Sequence, residues 1–196
     1  MYFTYNALDT GSYQSRIDGE PGGSIVTTVV KGGVRFMIEM SVENVRINTK
    51  TQKRVLILKT LNQDRYLFIW IMSPEAYAIA AHLRGTISPR PLTHDVLKKV
   101  IEVLGGKVMR VEILDYVDEI YYARIILDDA GQEREIDARP SDAIALAIRV
   151  NAPVFAAEKV LERCGVTSDS RWQDEAPVPA TEDEGQRRTE EDKDSS

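Results

Sequence analysis

Asp137-Ala138-Arg139-Pro140-Ser141-Asp142-Ala143-Ile144-Ala145-Leu146-Ala147 is the stretch of this 196-residue chain on which its fold turns. A strand over 133–138 ends there and a helix over 142–150 follows. Pro140 and Ser141 open that helix, because proline fits a first turn where its missing amide hydrogen is not needed. The helix is apolar almost all round, as a helix buried on every side is. A similar run, Ser73-Pro74-Glu75-Ala76-Tyr77-Ala78-Ile79-Ala80, follows an earlier strand, and with one gap Glu75-Ala76 lies on Asp142-Ala143.

Around these two runs the pattern is dense. Residues 37–48 alternate as a strand, with a phase slip at Glu43-Asn44 that reads as a bulge. Val55-Leu56-Ile57-Leu58 follows a polar turn, and 66–72 is apolar nearly throughout, as in a strand buried on both faces. A helix runs from Pro74 to about Arg84, where Gly85 stops it. The next helix has Thr93 as its N-cap. Val96, Leu97, Val100, Ile101 and Leu104 form one apolar face, with Lys98, Lys99 and Glu102 opposite. Gly105-Gly106 ends it. Strands over 107–117, 120–127 and 133–138 come next, with a turn at Asp128-Asp129-Ala130-Gly131. A short strand at Pro153-Val154-Phe155 and a short helix over 158–163 close the pattern. The order is three strands and two helices, twice. It is either a duplicated β3α2 unit or the chance recurrence of a common helix start. Either half alone leaves one sheet face bare, so the two are expected to pack as one domain.

Charge divides the chain. The net charge is −6. Residues 168–196 hold ten acidic and four basic residues, so the whole imbalance lies there and residues 1–167 are neutral. Residues 168–196 read as a disordered acidic tail. Residues 1–35 hold six of the twelve glycines and read as a flexible leader with one added strand over 25–30. The domain is then 36–167, with halves at about 37–105 and 107–166. A neutral domain cannot hold nucleic acid by bulk electrostatics and needs a local patch. No apolar run is long enough to span a membrane and no signal peptide is visible, so the expected location is cytoplasmic. Cys164 is the only cysteine, which excludes an internal disulfide and a cysteine-based zinc site.

Chemistry concentrates in two segments, Pro89-Arg90-Pro91-Leu92-Thr93-His94-Asp95 and Asp137-Ala138-Arg139-Pro140-Ser141-Asp142-Ala143. Each sets an arginine beside a proline and a carboxylate in a helix's first turn. Unpaired helix amides and a guanidinium suit phosphate, and a carboxylate can hold a divalent cation or position a water. Plainer roles exist for all of them. Asp95 and Asp142 complement helix dipoles, His94 borders an apolar face, Asp137 caps a turn, and Arg90 or Arg139 locks the halves together. His82 and Cys164 read as structural, and Tyr121-Tyr122 as packing rather than base stacking. Walker, dinucleotide, Gly-x-Ser-x-Gly and His-Glu-x-x-His motifs are absent.

At these segments the chain resembles the bifunctional nuclease domain family over about residues 37–166. Tyr66-Leu67-Phe68-Ile69-Trp70-Ile71 with Glu75-Ala76, and Ala152-Pro153-Val154-Phe155, support the likeness. Where family members often carry Ile-Gly before the Glu-Ala pair, this chain has Ile71-Met72-Ser73-Pro74. The resemblance implies an α+β fold in which duplicated β3α2 units form a single barrel-like mixed sheet with helices packed on it. It also implies DNase and RNase activity. No catalytic set is carried over from the family.

Two functions follow as expectations. The first is a nuclease that hydrolyses DNA and RNA with little sequence specificity. His94, Asp95, Asp137 and Asp142 would be catalytic. Arg90, Arg139 and Ser141 would bind phosphate. Asp137, Asp142 and Glu75 would hold Mg²⁺ or Mn²⁺. The second is a non-catalytic, homo-oligomeric binding or regulatory module with an anion pocket at the Arg-Pro motifs. Convergent, solvent-facing carboxylates would favour the enzyme, and closed ion pairs with the arginines would favour the module.

Overall fold

A computed structural model of the chain describes residues 6–7, 13–17, 25–30, 33–48, 50–167 and 175–177. In chain order the elements are β1 (Asn6–Ala7), β2 (Tyr13–Ile17), β3 (Ile25–Val30), β4 (Gly33–Asn48), β5 (Arg54–Thr60), β6 (Arg65–Ile71), α1 (Ser73–Leu83) and α2 (Thr93–Val103). Then come β7 (Gly106–Val117), β8 (Ile120–Asp129), β9 (Gln132–Ala138), α3 (Pro140–Val150), β10 (Val154–Ala157), α4 (Glu158–Cys164), β11 (Val166–Thr167) and β12 (Glu175–Pro177).

The strands form one mixed sheet. Two antiparallel meanders, β4-β5-β6 and β7-β8-β9, make its body. Strand β10 lies between them, antiparallel to β4 and parallel to β7. Val154 thus pairs with Met40 on one side and Val111 on the other. The phase slip foreseen near Glu43-Asn44 is a bulge, where the β4–β5 register shifts between Val42 and Asn44. Two further shifts, at Val108/Arg110 and Ile113/Asp115, bend β7 against β8.

Closure into a barrel is not what the pairing gives. Among the described residues β9 has β8 as its one neighbour, so the sheet stays open. A side-chain hydrogen bond links β8 to β6, with Tyr121 Oη donating to the Phe68 carbonyl at 3.2 Å. The second half also departs from a repeat of the first, because β10 separates its two helices.

Helices α1 and α3 pack together on one face of the sheet. Leu56, Leu58, Leu67, Ile69, Val111, Ile113 and Ile125 meet Ala76, Ile79 and Ala80 of α1 and the run from Ala143 to Ala147 of α3. The many alanines let α1 and α3 approach each other and the sheet closely. Both φ-positive glycines at helix ends, Gly85 (+68°) and Gly105 (+82°), sit where the sequence ends α1 and α2.

Three expectations are corrected. The strand buried on both faces is β5, whose Val55, Leu56, Ile57 and Leu58 are all inaccessible; β6 alternates, burying Leu67 and Ile69 and exposing Trp70. Its position beside β11 rather than in the sheet's middle explains this. Thr93 is the first residue of α2 and Leu92 its N-cap, with the Asp95 carboxylate accepting the Leu92 amide at 2.8 Å. Within residues 1–35 there are two short strands besides β3, and β4 starts at Gly33. Of residues 168–196 only Glu175–Pro177 is described, as a strand paired with β4. The remaining expectations for the leader and tail fall outside the described residues.

Candidate functional site

Three helices bring their N-termini together. Glu75 is the third residue of α1, His94 the second of α2 and Asp142 the third of α3, while Arg139 is the N-cap of α3. Each acid sits in a first turn because amides there lack intrahelical partners and the helix dipole favours negative charge. Packing of α1 and α2 on α3 then makes one cluster of these separate first turns.

Arg139 is its centre. Its Nε donates to Asp142 Oδ2 at 2.7 Å and its Nη2 to Glu75 Oε1 at 2.5 Å. The other Asp142 oxygen, Oδ1, lies 3.2 Å from His94 Nε2. The order in space is therefore Glu75–Arg139–Asp142–His94. The hydrogen bonds to Asp142 and then to Glu75 raise the Arg139 pKa above its ordinary value. Exposure peaks at Arg139, whose side chain is 57% accessible, and falls to 11% at Glu75 on one side and through 31% at Asp142 to 8% at His94 on the other. Two atoms of the cluster are buried without a hydrogen-bond partner among the described residues, Glu75 Oε2 and His94 Nδ1. In the neutral tautomer with Nε2–H toward Asp142, Nδ1 carries the free lone pair.

The remaining candidates lie elsewhere or act differently. Asp95 belongs to a second arrangement, accepting Arg149 Nε at 2.6 Å on Oδ1. Burial pushes the Asp95 carboxyl up. The hydrogen bonds from Arg149 and the Leu92 amide and the Arg149 charge outweigh that, and its pKa lies below the usual carboxylate value. Ser141 is buried in the first turn of α3 and is not hydrogen-bonded to the cluster. Arg90 is exposed in the loop before α2 and pairs with nothing among the described residues. Asp137 is exposed on β9, in register with Arg124. Its neighbour Ala138 packs on the core, so alternation turns Asp137 to the opposite sheet face.

The expected cation ligands Asp137, Asp142 and Glu75 are not brought together as one set among the described residues. Among the described residues no group of three or more His, Cys, Asp or Glu side chains is placed to hold a metal. Of the expected ligands, Glu75 and Asp142 are both engaged by Arg139, and Asp137 is on the far side of the sheet.

Arg149 is the residue that sequence reasoning missed. It is buried on α3, with Nη1 donating to the Ala145 carbonyl and Nη2 to the Ala78 carbonyl, and so ties α1, α2 and α3 together. A lone arginine within an otherwise apolar helix was the available signal. On the opposite face of the sheet a larger network was also missed. There Glu112 accepts Arg110 Nε at 2.6 Å and Arg124 Nε at 2.7 Å, and the two arginines reach on to Glu133 and Glu135. No helix among the described residues is long and apolar enough to cross a membrane.

Known proteins resemble the chain across this region. The family profile described as "Bifunctional nuclease domain" matches residues 56–169, which include every member of the cluster. Two uncharacterized proteins of Mycobacterium tuberculosis strains are 38% identical over 148 residues, which is 76% of this chain and 88% of each of them. Bifunctional nuclease 1 of Oryza sativa subsp. japonica is 33% identical over 113 residues, 56% of this chain and 34% of the plant protein. Bifunctional nuclease 1 of Arabidopsis thaliana is 30% identical over 112 residues, with the same two shares. The match thus spans about a third of the plant proteins' length. With a family match over more than half its length, centred on the helix N-termini described above, the chain belongs to the bifunctional nuclease domain family.

Proposed function

We propose that this protein hydrolyses phosphodiester bonds of DNA and RNA at the Glu75–Arg139–Asp142–His94 cluster. The observation that carries the reading is Arg139, a half-exposed guanidinium shared by two carboxylates where three helix N-termini meet. The two non-bridging oxygens of a phosphodiester form a bidentate acceptor pair as a carboxylate's do, and exchange into that guanidinium, with the helix ends favouring their charge. Asp142, released from Arg139 on Oδ2, then takes a proton from a water that attacks phosphorus, the P–O bond to the leaving sugar oxygen breaks, and that oxygen takes a proton from solvent. His94 holds the other oxygen of Asp142 and so orients it. Contact with phosphate alone carries no base information, in keeping with little sequence specificity. Plant relatives named bifunctional nucleases support the substrate class.

A second reading is favoured by one observation. Glu75, Asp142 and Asp95 are all closed into ion pairs with Arg139 or Arg149. On that reading the cluster binds an anion, and the helices' interlock is its main role.

Cleavage of end-labelled single-stranded RNA and DNA decides between them, in EDTA and with Mg²⁺ or Mn²⁺ added. Wild type is expected to cut both polymers. Asp142→Asn should slow cutting by about 10²–10⁴-fold, the range for loss of a general base. Binding without cleavage by the wild type would establish the second reading instead. Equal cleavage by wild type and variant would remove Asp142 from the chemistry.

A further inference from the structure

Helix α2 is amphipathic with its sides reversed. The side that meets α3 and the sheet carries His94, Asp95 and Lys98, whose Nζ donates to the Arg149 carbonyl at 3.0 Å. The apolar residues Val96, Leu97, Val100, Val103 and Leu104 instead face outward, the last two 72% and 78% accessible. Only Ile101 of the apolar set packs against the core. The cause is Arg149. A buried guanidinium needs acceptors, and the first turn of α2 supplies Asp95, which fixes the rotation of the helix.

The outward stripe has a definite shape. Val96, Val100 and Val103 are spaced four and three residues apart, the spacing of a helix-to-helix seam, with Leu97 and Leu104 beside them. Its exposed surface is on the order of 500 Å², as large as the largest apolar patch of an ordinary monomer, where such patches are often functional. On one flank stand Lys99 and Glu102, opposite charges three residues apart and both well exposed. We propose that this face is where a second copy of the chain docks, α2 against α2 and antiparallel.

Charge and area both point to a second copy. A two-fold axis near Val100 lays Val96 of one copy over Val103 and Leu104 of the other. It also sets Lys99 beside the opposite Glu102, so the flank complements itself. Residues 1–167, which include α2, carry no net charge, so charge repulsion between copies is confined to residues 168–196. Two such faces bury about 1,000 Å² together, the lower bound of a specific interface. Paired this way, α2 is gripped on both sides, which steadies the first turn that holds His94.

The test is the mass in solution of the full chain from micromolar concentration upward, by sedimentation equilibrium. Wild type is expected to self-associate. Val100→Glu and Val103→Glu should each weaken association roughly a hundredfold by placing an unpaired charge at the centre of the seam. Both residues are exposed in one copy, so the thermal midpoint of the dissociated variant should match that of dilute wild type. Lys99→Glu should weaken association, and adding Glu102→Lys should restore it. A wild type that stays monomeric leaves the face to some other partner and overturns the proposal. So does an association that both valine variants retain. Neither result depends on whether the protein cuts nucleic acid.

Discussion

Two ion-pair networks lie on opposite faces of the same sheet, and they are built to different standards. In the network around Glu112, that carboxylate is 1% accessible and both its oxygens are taken by arginines. Arg110 and Arg124 each find a further glutamate. Burial alone would lower the Arg110 pKa, but Glu133 and Glu112 more than offset it and it lies above the ordinary value. In the cluster around Arg139, the arginine is half open to solvent and two buried atoms, Glu75 Oε2 and His94 Nδ1, have no partner among the described residues. A network with every atom matched stabilises one conformation. A network with atoms to spare can exchange partners, as a site must.

The contrast can be broken experimentally, starting with the largest effect. Glu112→Ala removes the buried acceptor that two guanidinium groups share, leaving each with its outer glutamate alone, and should destabilise the fold by about 3–5 kcal/mol, read as the shift in a urea unfolding curve. A loss below about 1 kcal/mol would mean the network is as dispensable as a surface pair. Arg149→Met should cost about 2–3 kcal/mol through lost hydrogen bonds to Asp95 and two carbonyls. It should also lower cleavage, because α2 loses its anchor. Asp142→Asn should move the unfolding midpoint least, by under about 1 kcal/mol, while removing most cleavage. If instead it destabilises the fold as much as Glu112→Ala does, the two networks are the same kind of object.

Acid sharpens the contrast further. The Asp95 carboxyl is held below its ordinary value of 3.8, so the native state favours the ionised form. Its contribution is complete above about pH 4. It is lost as pH falls through the lowered native pKa. Asp95→Asn should therefore flatten the fall in stability below pH 4 and leave the slope near neutrality unchanged. The carboxylate is more than a third exposed, so screening by solvent keeps the effect small.

Much of this was legible beforehand and some was not, for physical reasons. Strand and helix limits, the bulge at Val42/Asn44 and the stops at Gly85 and Gly105 are local. Backbone preference and hydrophobic period decide them. The rotation of α2 is not local. Its period announces an apolar face, but Arg149, fifty residues on, decides which way that face points. The insertion of β10 between β4 and β7 is also a long-range choice, which four apolar residues cannot announce. At the site, first-turn acids are a sequence signal, and Glu75, His94, Asp142 and Arg139 do meet. Asp137 does not join them in this arrangement, since one residue along β9 reverses the face.

The place of β10 has a consequence for how the chain is made. The strand that joins the two meanders is among the last parts of the domain to leave the ribosome. Both meanders can form early from neighbouring segments, but each must wait with an open edge, at β4 and at β7. Closing that gap joins residue 154 to residue 40 across more than a hundred positions, a contact of high order and slow to form. The interval before it closes is when the nascent protein is most exposed to pairing with the wrong strand.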